Sequence, residues 1–418
     1  MSKIIATKTN IECAGKELPI SRKAARLEYR VLVNVLASVF IMCCAGSVYA
    51  WSIFVEPLKA TVGLSTAQTQ LIFGLIIASF SITMLFVGRI ERRLGPRLTA
   101  AIGAILFCSG YLLASFSGGN VVLILLGISI FSGAGMGFGY VTVLSNLVQW
   151  FPRHQGLSTG IAVAGFGTGA ILLSQIVQPV LNHGMAVIEV FRYIGIIYGV
   201  IFLVSSMFIS RPAGATKAPG ERPIPIKSLS RDKRFWILFY TFFAGSFAGL
   251  MLIGNLKPIG VIYGIGDQAA GMAIVLLSVG NAAGRILWGQ IYDKIGGKRS
   301  VAIALALVSV FMLILLAEIR SSFAFLSLCL VFGLCYGANF VLYASEVSHI
   351  YGICQLGIVY PAVSLAYGIS GIAGPLAGGY LFDITHRYTI PVVISVAICL
   401  SGALAYTLFM SRVSPSKN

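Results

Sequence analysis

Twelve times along its 418 residues the chain enters an apolar run about long enough to cross a bilayer as a helix. That repetition constrains the fold more than any motif does. In hydrocarbon each backbone N–H and C=O must be satisfied inside the segment or by a closed barrel, and long runs without alternation are helices. The runs are read as Val31–Pro57, Ala67–Val87, Leu98–Phe116, Val121–Leu147, Gly156–Leu181 and Val187–Ile209, then Phe235–Tyr263, Ala269–Ile291, Val301–Leu316, Ser322–Val347, Gly357–Phe382 and Ile390–Met410. With 57% hydrophobic and only 10% charged residues, the composition fits no soluble globular class. The expected fold is an all-α polytopic membrane protein with twelve transmembrane helices. The polar, basic first thirty residues pass directly into a long run, so no cleaved signal peptide is expected.

The net charge is +17, and its placement matters more than its size. Under a twelve-span topology, 24 of the 30 Lys and Arg fall on one side. Five (Lys59, Arg192, Lys257, Arg320 and Arg387) fall on the other, and Arg285 lies within a span. That bias predicts a multi-pass protein of the inner (cytoplasmic) membrane with both termini in the cytoplasm. The basic loops then set topology and form no nucleic-acid surface. Of eight cysteines, Cys43, Cys44, Cys108, Cys329, Cys335 and Cys399 lie in apolar runs, and no C-x-x-C pair exists. They read as small buried apolar residues. The four histidines (His154, His183, His349 and His386) fall near loops, and no metal-ligand cluster, G-x-G-x-x-G or P-loop occurs. The expectation is therefore no cofactor, no metal, no catalytic residues and no enzyme.

Between the sixth and seventh runs lies a polar stretch, Ser210–Arg234, with Pro212, Pro219, Pro223 and Pro225. It reads as a linker. The division is then a cytoplasmic tail (1–30), a six-helix bundle (31–209), a cytoplasmic linker (210–234), a second six-helix bundle (235–410) and a short tail (411–418). An internal repeat supports it. After the second run come Gly88, Arg92, Arg93, Gly95 and Arg97; after the eighth, 201 residues on, come Gly289, Asp293, Lys294, Gly296 and Lys298. This pattern resembles the loop motif of the major facilitator superfamily, which implies two six-helix pseudo-repeats. The second copy fits the motif. The first departs from it, with Arg92 at the family's acidic position and Glu91 beside it, which puts the usual charge relay of that copy in doubt. Glycines crowd the fifth run (Gly160, Gly165, Gly167, Gly169) and the eleventh (Gly371, Gly374, Gly378, Gly379), where close helix packing is the expected use.

Arg285, in Gly280-Asn281-Ala282-Ala283-Gly284-Arg285-Ile286-Leu287-Trp288, is the lone charge inside Ala269–Ile291. A guanidinium at membrane depth faces protein or water rather than lipid. This helix should run outside to inside, and helical side chains tilt toward their N-terminus, so Arg285 leans toward mid-membrane. Contact with an anion is the reading adopted; snorkelling or a structural ion pair is the other.

Further stretches are similar to the oxalate/formate antiporter family, a branch of that superfamily related to the monocarboxylate transporters. They are Gly46-Ser47-Val48-Tyr49-Ala50-Trp51-Ser52 with Pro57-Leu58; Gln149-Trp150-Phe151-Pro152 with Gly156; Gly249-Leu250-Met251 with Lys257-Pro258; and Tyr360-Pro361 with Tyr367-Gly368 and Gly374-Pro375. The resemblance spans nearly the whole chain and implies a central cavity that opens alternately to either side. It implies that Arg285 pairs with a substrate carboxylate, that Asn281 one turn earlier shares its face, and that Tyr140, Phe166, Tyr336 and Phe340 form an aromatic lining. A guanidinium grips a carboxylate bidentately, and aromatic walls strengthen that pairing by excluding water.

Two departures narrow the substrate. The family's oxalate exchanger has a lysine where Tyr367 aligns here, and without that second cation a dicarboxylate is poorly neutralised. The monocarboxylate transporters of animals have an acid where Asn281 stands, and an amide carries no proton. Glu56 and Glu346 sit near span ends, where solvated or capping roles are expected. The resulting expectation is a transporter of a small organic monocarboxylate of lactate, pyruvate or formate type, by proton symport or anion exchange. It would act as a monomer in the bilayer, with protons or a counter-anion as co-substrate. Alternatives are an oxalate/formate-type exchanger, an exporter of another small anion or drug, and a transporter-like sensor.

Overall fold

A computed structural model describes residues 20–151, 155–212, 226–317, 319–352 and 355–410. The tail before residue 20, most of the linker (213–225), the tail 411–418 and the motif position Pro152 lie outside the described residues, as does His154. Twelve long helices follow one another, and no strand occurs among the described residues. We label them α1 (Ile20–Gly46, continued as Ser47–Phe54 and Val55–Val62), α2 (Thr66–Leu94), α3 (Pro96–Ser115) and α4 (Val121–Ile124 through Gly133–Trp150). Next come α5 (Gln155–Asn182), α6 (Val187–Phe208), α7 (Lys233–Ile262) and α8 (Asp267–Ile295). The last four are α9 (Gly297–Leu315), α10 (Ser322–Tyr336 and Ala338–Tyr351), α11 (Leu356–Val363 and Leu365–Thr385) and α12 (Thr389–Met410). Among the described residues eleven helices are long and apolar enough to cross a membrane, and α5 is a 28-residue helix between two of them. The first helix starts at Ile20 rather than Val31 and ends past Pro57.

Local chemistry sets the helix ends. Ser65 and Gln68 form a capping box at the start of α2, and Asn120, Asp232 and Ser321 cap α4, α7 and α10. Gly95 and Gly296 end α2 and α8 at φ 83° and 79°, a conformation only glycine adopts without strain. The two helices are each 29 residues long, and each is followed at once by the next helix. The repeat seen in the loop motif is thus a repeat of structure.

Large apolar side chains such as Phe86, Ile105, Ile197, Val200 and Leu404 are exposed. On a soluble protein they would form a liability; on this one they meet hydrocarbon. Inside, glycines bring backbones together. A Cβ on Gly284 would collide with the Leu334 carbonyl of α10, and one on Gly333 of α10 with the Leu277 carbonyl of α8. That reciprocal seam fixes the rotation of α8. A similar seam joins α1 and α5, where a Cβ on Gly46 would strike the Phe166 backbone and one on Gly169 the Cys43 backbone.

With twelve helices crossing in turn, the start of α1 and the end of α12 lie on one face, here the terminal face. The two halves meet where α2 packs on α11, α5 on α8 and α1 on α7. Hydrogen bonds across this seam run from mid-membrane to the opposite, far face. The Asp383 carboxylate at the end of α11 accepts from the backbone amides of Thr66 (3.2 Å) and Ala67 (2.9 Å) at the start of α2. Gln70 donates to the Gly254 carbonyl at 2.8 Å, and Gln178 to Asp267 at 3.2 Å. Lys59 of α1 lies over the Phe382 ring of α11.

Candidate functional site

Arg285 is 6% exposed. The α8–α10 glycine seam turns it inward. Its Nε donates to the Asn281 Oδ1 at 3.0 Å, the one-turn spacing that places both on one helix face. The guanidinium carbon lies 4.9 Å from the Phe340 ring centroid and 6.0 Å from that of Phe166. These rings come from opposite halves, and each sits within cation–π range. Among the described residues no carboxylate lies within ion-pair distance of Arg285, and its Nη1 and the Asn281 Nδ2 are buried with no hydrogen-bond partner. Buried charges and donors are ordinarily paired, and here these donors have no acceptor among the described residues.

A small central cavity opens beside it. Arg285, Phe340 and Tyr367 line it from the second half. Tyr140 and Phe166 line it from the first, with an apolar wall of Val48, Ile76, Ile77, Phe80 and Met136. The space between them is about 10 Å³, room for roughly one water. Anything larger than a water fits there only if the walls part. Phe80 packs edge-on against Tyr140, and Tyr140 edge-on against Phe166. Phe340 packs edge-on against Tyr367 at 5.0 Å.

Of the seven residues the sequence pointed to as lining, five border this cavity and Asn281 holds Arg285 from behind. Tyr336 is placed differently. It is fully buried outside the lining, with its ring pressed on Gly249 of α7 and stacked on Phe332. Its hydroxyl faces Tyr49 and Tyr367 without a hydrogen bond of normal geometry. Tyr49 is a residue the sequence reading left unassigned. Its hydroxyl meets that of Tyr367 at 3.0 Å, linking α1 to α11 across the halves beside the cavity. It sat in plain view inside the Gly46–Ser52 stretch, but only the 3-10 turn over Ser47–Phe54 aims it at α11.

The repeated loops are less uniform than their sequences. Gly95 and Gly296 carry the positive φ angles, whereas Gly88 has open space where a Cβ would go and Gly289 meets only Val341 at ordinary contact. Arg97 donates its Nε to the Ile209 carbonyl at 2.9 Å, tying α3 to the end of α6. Arg92, Arg93, Asp293, Lys294 and Lys298 are exposed, and none makes an ion pair among the described residues. Among the described residues the buried acids are Glu91 and Glu346. Glu91 accepts from Ser145 of α4, and Arg211 donates to the Glu91 backbone carbonyl at 2.8 Å. Glu346 accepts from Tyr292 and Tyr406, which corrects its expected solvated role. Glu56 is exposed and pairs with Lys59 at 3.1 Å. Among the described residues no group of His, Cys, Asp or Glu has metal-binding geometry.

Comparison with known proteins agrees with this architecture. The sequence profile described as Major Facilitator Superfamily matches residues 35–353. The chain is 26% identical to the oxalate:formate antiporter of Oxalobacter formigenes over 326 residues, 76% of this chain and 77% of that one. It is 24% identical to monocarboxylate transporter 11 of Homo sapiens over 348 residues, 78% of this chain and 71% of that one. The crystal structure of a bacterial homolog to the human lysosomal transporter Spinster is 16% identical and superposes with a TM-score of 0.71 over 93% of this chain and 99% of that one, which shows a shared fold. With the profile spanning most of its length over a duplicated six-helix architecture, the chain belongs to the Major Facilitator Superfamily.

Proposed function

We propose that this transporter moves a small organic monocarboxylate of the lactate, pyruvate or formate type across the cytoplasmic membrane by alternating access, as proton symport or anion exchange. The observation that carries the reading is Arg285: buried, without an acid partner among the described residues, and with Nη1 free beside the cavity. A carboxylate supplies both the missing charge and two acceptor oxygens in the geometry a guanidinium fork prefers. The relatedness to an oxalate:formate antiporter and a monocarboxylate transporter supports the same ligand chemistry.

Charge count favours one carboxylate over two. The other buried cation among the described residues, Lys257, is already matched, with its ammonium 2.9 Å from Asp267. Oxalate would bring a second negative charge that nothing near Arg285 neutralises, at a penalty of several kcal/mol in a dry cavity.

The halves, residues 31–209 and 235–410 joined by 210–234, act as the two moving units. Both cavity walls come from one chain, so a monomer suffices. The Lys and Arg bias supports a cytoplasmic terminal face. Uptake of labelled lactate, pyruvate, formate and oxalate into proteoliposomes, with and without a pH gradient, tests the reading. Saturable monocarboxylate uptake is expected; its absence in a folded, oriented preparation overturns it. A reporter fused to the carboxyl terminus and found outside the cytoplasm would overturn the topology.

A further inference from the structure

The cavity has two unlike ends. Its one cation, Arg285, and the Tyr367 hydroxyl, with Asn281 behind, belong to the second half. Facing them from the first half are Val48, Ile76, Ile77, Phe80 and Met136, each at most 5% exposed and none offering a hydrogen bond. Tyr140 supplies the one hydroxyl from that half. A ligand whose carboxylate sits on Arg285 must therefore lay whatever lies beyond it against hydrocarbon. We infer that the wall of Ile76, Ile77, Phe80 and Met136 makes this a site for short-chain monocarboxylates with an apolar tail, and selects against both formate and oxalate. The inference rests on the monocarboxylate reading above and narrows it.

The chemistry follows from the two ends. Formate has no carbon beyond its carboxylate, so it leaves the wall uncontacted. Oxalate sets its second carboxylate against that wall, where no donor replaces its water shell. A hydroxyl or keto oxygen beside the carboxylate falls near the phenols of Tyr140 and Tyr367 and is tolerated there. The next carbons meet the wall, and each buried methylene adds about 0.8 kcal/mol, or about fourfold in affinity. The cavity is narrow in this state, so the gain ends after a few carbons.

The test is equilibrium binding of formate, acetate, propionate, butyrate, valerate and oxalate to the purified full-length protein. Formate is expected to bind weakest of the monocarboxylates, with affinity rising severalfold per carbon to an optimum and then falling. Met136→Ala, checked for folding by thermal unfolding, is expected to move the optimum to a longer chain. The wild-type series decides even if that variant fails to fold. Monocarboxylates that bind with formate equal to or tighter than propionate, or oxalate tighter than all of them, would overturn this inference while leaving the monocarboxylate reading standing. Failure of every monocarboxylate to bind folded protein would overturn both.

Discussion

Tyr292 donates its hydroxyl to the Glu346 carboxylate across 2.7 Å, joining the end of α8 to α10. In the repeat, 201 residues earlier, the same two positions hold Glu91 and Ser145, and Ser145 donates to Glu91. The acid and the hydroxyl have changed places between the halves, and the contact has survived. Both pairs lie near the terminal face, at the end of a helix that borders the seam. Glu346→Ala leaves the Tyr292 and Tyr406 hydroxyls without their acceptor. It should destabilise the protein by about 1–3 kcal/mol. A thermal unfolding curve in detergent that matches wild type would refute this.

The far face closes differently, through the Asp383 carboxylate on two amides at the start of α2. A carboxylate at a helix N-terminus is worth up to about 2 kcal/mol when partly buried. Asp383→Ala removes the only side-chain acceptor that the described contacts give those amides. It should shift the halves toward opening on the far face by up to about thirtyfold. Distances between spin labels at Val62→Cys and Arg387→Cys report it, as a growing long-distance population in the Asp383→Ala background. An unchanged distribution would mean that the other seam contacts suffice.

Much of this was legible in the sequence, and the limits are physical. The twelve helices and the duplication follow from apolar run length and from Gly95 and Gly296 recurring at the helix ends. Arg285, Phe340, Phe166, Tyr140 and Tyr367 do border one cavity. Hydropathy could not register the 3-10 turn over Ser47–Phe54, the π-helical turn over Leu125–Ser132 or the break at Gly337, because apolar residues run straight through them. Tyr49 was missed for that reason. Glu346 read as a span-end acid and Asp383 drew no reading, since their partners are remote in sequence: Tyr292 and Tyr406 for the first, Thr66 and Ala67 for the second.

Asp232 gives a pH dependence outside the membrane. Partial burial pushes its carboxyl up, but hydrogen bonds from Arg234 and Tyr351 outweigh that and hold it below the usual aspartate range. A depressed folded value means stabilisation that is present above the unfolded pKa, about 3.9, and lost as pH falls through the lower folded value. The contribution should vanish in Asp232→Asn. Melting temperatures measured from pH 6 downward should therefore begin to converge between wild type and variant only once pH falls below about 3.9. A gap that stays constant across the range would contradict this.

On the proposed monocarboxylate reading, Tyr367 is the position that keeps the site monovalent. Tyr367→Lys adds a second cation beside Arg285, and should raise affinity for oxalate relative to lactate. It also breaks the contact with Tyr49, so Tyr367→Phe is the control and should keep the monocarboxylate preference. If the lysine variant shows no shift toward oxalate, one-cation selectivity is wrong.

The most direct measurement is equilibrium binding of a monocarboxylate to purified wild type and to Arg285→Lys. The charge is kept, but the planar fork and its seat between Phe166 and Phe340 are lost. Losing one charge-assisted hydrogen bond of about 1.5–3 kcal/mol predicts binding weaker by about ten- to a hundredfold, with the variant's melting temperature near wild type. Equal affinity in a folded Arg285→Lys protein would contradict the account and return Arg285 to a structural role.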